Sequence, residues 1–124
     1  MPAAQELRVR ISDRPGVLGQ VSVVLSESGV NIEGFAVWGG VARLFVSDTE
    51  RAREVLDDEG FACAVADVLR LHLPDEPGNL AEVAEVLGAA GINIDYAYTV
   101  TPDQPGEAAF VLAVDPKKAE DVLD

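Results

Sequence analysis

The chain has 124 residues, 48% hydrophobic and 25% charged, a globular composition far from that of disordered chains. Its formal charge of −13 repels a phosphate backbone and argues against direct nucleic-acid binding. No apolar run approaches the roughly 18–20 residues of a membrane helix, and the opening Met1-Pro2-Ala3-Ala4 has neither the charged start nor the apolar core of a signal peptide, so a cytoplasmic protein without a membrane partner is expected.

In chain order, Glu6-Leu7-Arg8-Val9-Arg10-Ile11-Ser12 alternates with period two, the pattern of a strand that buries one face through Leu7, Val9 and Ile11. A Pro15-Gly16 turn leads into a helix of about 12 residues carrying Leu18, Val21 and Leu25, with Gly29 placed to cap it. Val30 to Val37 is rich in β-formers, and Gly39-Gly40 joins it to Val41–Val46 as a hairpin. Asp48-Thr49 offers a cap to a second helix through Ala52, Val55 and Leu56, ended by Gly60. Phe61, Cys63 and Val65 then form a fourth strand, and the lone Cys63 excludes an internal disulfide and reads as a small buried thiol.

From Val68 the order repeats. Val68–Leu73 is a strand, the next helix carries Leu80, Val83 and Leu87, and a strand runs from Ile92 to about Val100. Thr101-Pro102-Asp103-Gln104-Pro105-Gly106 replaces the glycine pair, Ala109–Val114 follows, and Ala119, Val122 and Leu123 mark a last helix. Nothing corresponds to Phe61–Ala66. The reading is therefore α+β, with two ferredoxin-like β-α-β-β-α-β repeats, helices on one face of each antiparallel sheet, boundaries at 1–66 and 67–124, and no final strand in the second repeat. The bare edge calls for cover by another strand, loop or subunit, unless the sequence is cut short.

The repetition is also literal. Between 13–35 and 75–97, at an offset of 62, ten of 23 positions are identical. Asp13-Arg14-Pro15-Gly16-Val17-Leu18 returns as Asp75-Glu76-Pro77-Gly78-Asn79-Leu80, and Gly29-Val30-Asn31-Ile32-Glu33 returns as Gly91-Ile92-Asn93-Ile94-Asp95. Each turn stands before a helix, where free N–H groups and the helix dipole favour an anion such as a carboxylate. Asn31 and Asn93 follow each helix, with amides able to serve both charged ends of a zwitterion. The same residues also suit a purely structural role, with Asp13 and Asp75 capping the turn and each Asn making a local hydrogen bond.

On these motifs the chain resembles a tandem pair of ACT domains, small regulatory modules of amino-acid metabolism, over nearly its whole length. That resemblance implies side-by-side association of sheets and amino-acid effectors held between paired domains. It places Asp13, Arg14, Gly16, Val17, Leu18 and Asn31, and Asp75, Gly78, Asn79, Leu80 and Asn93, at candidate ligand sites. A homodimer or a partner enzyme or regulator is expected, and no cofactor. Because Glu76 replaces Arg14, the two pockets differ in charge.

Arg8 and Arg10 align with Arg70 and His72 on the strand face opposite the buried leucines; they read either as solvated residues or as a contact surface for an acidic partner or a second copy. Phe35, Trp38, Tyr96 and Tyr98 read as core or interface aromatics. Catalysis has little support: one His and one Cys lie on strands without evident partners, and no metal-binding spacing occurs. Two rivals to a non-catalytic amino-acid-binding regulator remain. One is an interaction module that keeps the fold without an effector. The other is an acylphosphatase-like enzyme using Arg14 and Asn31, although the short Pro-Gly turn and Glu76 depart from that family's pattern.

Overall fold

The computed structural model describes residues 3–123, with elements in the order β1 (Ala3–Arg10), α1 (Val17–Glu27), β2 (Ile32–Trp38), β3 (Val41–Val46), α2 (Thr49–Asp58), β4 (Cys63–Pro74), α3 (Asn79–Ala89), β5 (Tyr96–Val100), β6 (Glu107–Ala113) and α4 (Pro116–Leu123). The fold is α+β, built on the expected repeat order. The chain forms two compact units, Gln5–Ala66 and Asp67–Asp124, and Ala3 and Ala4 group with the second.

In the first unit the strands lie in the order β2-β3-β1-β4. Leu7 faces Leu44 and Val9 faces Ala42 across the antiparallel β1/β3 ladder, so period-two alternation puts all four side chains on one face. Val21 and Leu25 of α1, with Ala52 and Leu56 of α2, close over that face. Leu7, Leu25, Leu44 and Leu56 are fully buried, each contributing roughly 2 kcal/mol relative to exposure. Helix α1 buries Val17, Val21 and Leu25, a stripe one residue earlier at its start than the expected Leu18. It ends in a Schellman cap: Gly29 (φ 75°) donates to Ser26 O and Val30 donates to Leu25 O. Asp48 caps α2 by accepting from the Arg51 N–H at 3.0 Å. The β2/β3 hairpin turns on Gly39 and Gly40, both at positive φ, as a primed two-residue turn requires.

In the second unit β6 pairs with both β4 and β5. Leu69, Leu71, Leu112 and Val114 pack against Val83 and Leu87 of α3 and Ala119 of α4. Two features differ from the expected repeat. Strand β5 starts at Tyr96 instead of Ile92. In the first unit the Ser47 hydroxyl and amide hold the Asn31 N–H and C=O just ahead of Ile32, whereas in the second the Asp95 N–H donates to Ala113 O just ahead of Tyr96. The bare β4 edge is the second. Strand β1 neighbours β4, and its first residues, Ala3 and Ala4, belong to this unit, so the N-terminal segment takes the place of the missing strand.

Candidate functional site

The Asp13–Leu18 turn forms one wall of a pocket of about 580 Å³ that also includes Ile11, Ser12, Val37, Trp38, Gly39 and Gly40. Strand direction explains the meeting. Both β1 and β2 run antiparallel to β3, hence parallel to each other, so the turn after β1 and the hairpin after β2 emerge at the same end of the sheet. The Ile11 N–H donates to Gly40 O at 2.9 Å and ties the two together. Asp13 and Arg14 are exposed at the mouth, while Val17 is buried beneath it. The N-cap of α1 is Gly16 at φ 91°, without a side-chain cap, and no acidic residue stands in the first turn. The first-turn N–H groups therefore lack intrahelical acceptors, and the positive dipole end is uncompensated. A Cβ on Gly16 or Gly78 would meet nothing within 4 Å, so backbone conformation, not close approach, requires glycine there. Asp13 and Asp75 are not the caps of α1 and α3, which are Gly16 and Gly78.

Asn31 lies elsewhere. It lines a separate pocket of about 380 Å³ with Ser22, Ser26, Gly29, Val30 and Ile32, at the far end of α1. The 11 residues of that helix span about 16 Å. Within one unit the turn and the asparagine do not converge, and Arg14 and Asn31 cannot grip one phosphate there as the acylphosphatase-like reading requires. In the second unit the same positions are more internally engaged. Asn79 Nδ2 donates to Pro74 O at 2.9 Å, Asp75 N donates to Gly106 O, and Asn93 Nδ2 donates to Asp95 Oδ1 at 2.8 Å. Gly78 and Leu80 are exposed beside Asn79, and Glu82 places a carboxylate in the first turn of α3.

A family model for the ACT domain pair matches residues 2–123. The chain is an ACT domain pair. Among solved structures, the protein BT0572 from Bacteroides thetaiotaomicron is 29% identical, with 98% of this chain and 86% of that one covered and a TM-score of 0.88. The ligand-free regulatory subunit of aspartate kinase from Thermus thermophilus shares the fold at 17% identity over 98% of this chain and 90% of its own, TM-score 0.68. E. coli aspartokinase III in complex with lysine and aspartate, in the T-state, does so at 15% identity over 98% of this chain and 29% of its own, TM-score 0.62. No curated protein matches in sequence.

The lining of the first-turn pocket extends beyond the residues expected from sequence to Ile11, Ser12, Gly19, Val37, Trp38, Gly39 and Gly40 of this ACT pair. Trp38, read as a core or interface aromatic, is 45% exposed, lines the first-turn pocket and carries the Arg43 guanidinium over its ring. Phe35 is 56% exposed and is likewise not a core residue. Tyr96 and Tyr98 are half-buried and stacked. The β-α-β-β order itself held the missing signal, because it sends strands one and two the same way. Cys63 is half-buried, and burial, followed by the nearby Asp57 carboxylate, pushes its thiol up to about 11, so it is not a thiolate at neutral pH. Among the described residues no cluster of His, Cys, Asp and Glu could hold a metal, and no helix is long and apolar enough to cross a membrane.

Proposed function

We propose that this ACT pair is a non-catalytic, cytoplasmic regulatory protein that binds a free amino acid between ACT domains and transmits binding through their association. The first-turn pocket carries the reading. Free N–H groups of α1 and the Arg14 guanidinium suit an α-carboxylate, Asp13 suits the α-ammonium, and Val17, Leu18 and Trp38 offer an apolar wall. Asn31 sits at the other end of α1, so a complete site takes the turn from one ACT domain and the asparagine from another. The aspartate-kinase regulatory subunits and the aspartokinase solved with lysine and aspartate support a regulatory role with an amino-acid effector. Partner and second site, at Asp75, Gly78, Asn79, Leu80 and Asn93, are part of the same proposal, with the second site the weaker because its side chains are already engaged.

The exposed Phe35, Val37 and Trp38 on edge strand β2 favour a second reading, a dimerisation module that binds no effector. A thermal-shift and calorimetry panel of the twenty amino acids separates the two. An effector at about 100 times its Kd stabilises by roughly 2.7 kcal/mol. Arg14→Ser and Asn31→Ala are each expected to abolish the hit, and Asn93→Ala to weaken it less. Silence across the panel rejects the effector reading and leaves the module.

A further inference from the structure

Alternation along β1 puts Arg8 and Arg10 on the face opposite Leu7 and Val9, and alternation along β3 puts Arg43 on that face too. Arg8 and Arg43 are direct cross-strand partners, an arrangement that like charges disfavour. With Val41 and the small residues Ala62, Cys63 and Ala64, the three arginines line a pocket of about 330 Å³ that shares no residue with the first-turn pocket. No carboxylate is in its lining. Two of the guanidiniums are held in place. Arg43 Cζ lies 3.4 Å from the Trp38 ring centroid, with Nη1 donating to Trp38 O and Val41 O, and Arg8 Nε donates at 2.9 Å to Glu6, whose side chain is fully buried. Arg10 is exposed, and among the described residues its guanidinium makes no hydrogen bond or ion pair.

The second repeat shows what such a basic pair accepts. Arg70 and His72 stand at the positions of Arg8 and Arg10, and there the chain supplies its own carboxylate: Asp103 lies 3.4 Å from Arg70 Nη2 and 3.4 Å from His72 Nε2. Asp103 belongs to the loop that replaces Gly39-Gly40, and those two glycines have no side chain to fold back in the first repeat. We propose that the Arg8, Arg10 and Arg43 pocket binds a small organic polycarboxylate, whose carboxylates take the place that Asp103 fills in the second repeat. A planar guanidinium fork matches a carboxylate, the Glu6 carboxylate offsets only one of the three positive charges, and the volume suits a small molecule.

Isothermal titration of the full chain at fixed ionic strength, with citrate, inorganic phosphate and acetate as probes, tests this. Citrate is expected to bind once per chain and acetate far more weakly. Arg10→Ser is expected to weaken citrate by about tenfold or more, and Arg51→Ser, the same charge change on α2, to leave it unaltered. If Arg10→Ser fails to fold, Arg10→Lys keeps the charge, loses the fork and makes the same comparison. No heat with citrate, an equal loss in Arg51→Ser, or phosphate binding more tightly than citrate overturns the proposal.

Discussion

Gly16 and Gly78 share a position, a conformation and an empty surround. At φ 91° and 89° an L side chain is strained whatever the space, so Gly16→Ala is expected to destabilise the chain by about 1–2 kcal/mol. Gly19, three residues on inside α1, also has nothing within 4 Å but no positive φ. Gly19→Ala should therefore stabilise by about 0.5–1 kcal/mol. Urea unfolding of both variants checks the sign; equal effects would mean that space, not backbone conformation, sets the preference. The asparagines show that identical residues need not have identical work. The Asn31 backbone is held by Ser47, while the Asn93 amide is turned onto Asp95. The duplicated motif is legible at both places, but the neighbour that engages it is not.

Among elements, the helix caps are the most local features and the easiest to read. Gly29, Gly60 and Gly91 each end a helix with the same paired hydrogen bonds, and the next residue in each case reaches back to a buried leucine. Loop 101–106 is different. It reads as a longer hairpin connection, yet it brings Asp103 onto Arg70 and His72 and the Thr101 carbonyl onto Arg70 at 3.0 Å. Asp103 is 64% exposed, so these ion pairs contribute little to global stability. Asp103→Asn is expected to change unfolding free energy by less than about 1 kcal/mol while speeding amide hydrogen exchange in residues 101–106. Unchanged exchange would mean that backbone bonds alone order the loop.

At the scale of the molecule, the second repeat is completed by residues that precede the first. Ala3 and Ala4 group with Asp67–Asp124 beside β4. Deleting residues 1–4 is therefore expected to leave exchange protection of β3 intact and to raise exchange in the β4 segment 67–74, read by mass spectrometry. Equal loss in both places would show that the deletion acts on the whole chain. The sequence pattern announces a bare edge, but nothing local in Ala3-Ala4 says which strand they accompany.

The order of elements, the faces that bury leucine and valine, the glycine turns and the family follow from the chain by itself, because period-two and helical patterns, caps and turns are set by residues a few positions apart. Which residues meet was decided by strand order and direction. These put Trp38 beside Asp13 and Arg14 and gathered three arginines from two strands around one pocket. Such meetings join residues tens of positions apart, and local spacing carries no record of them.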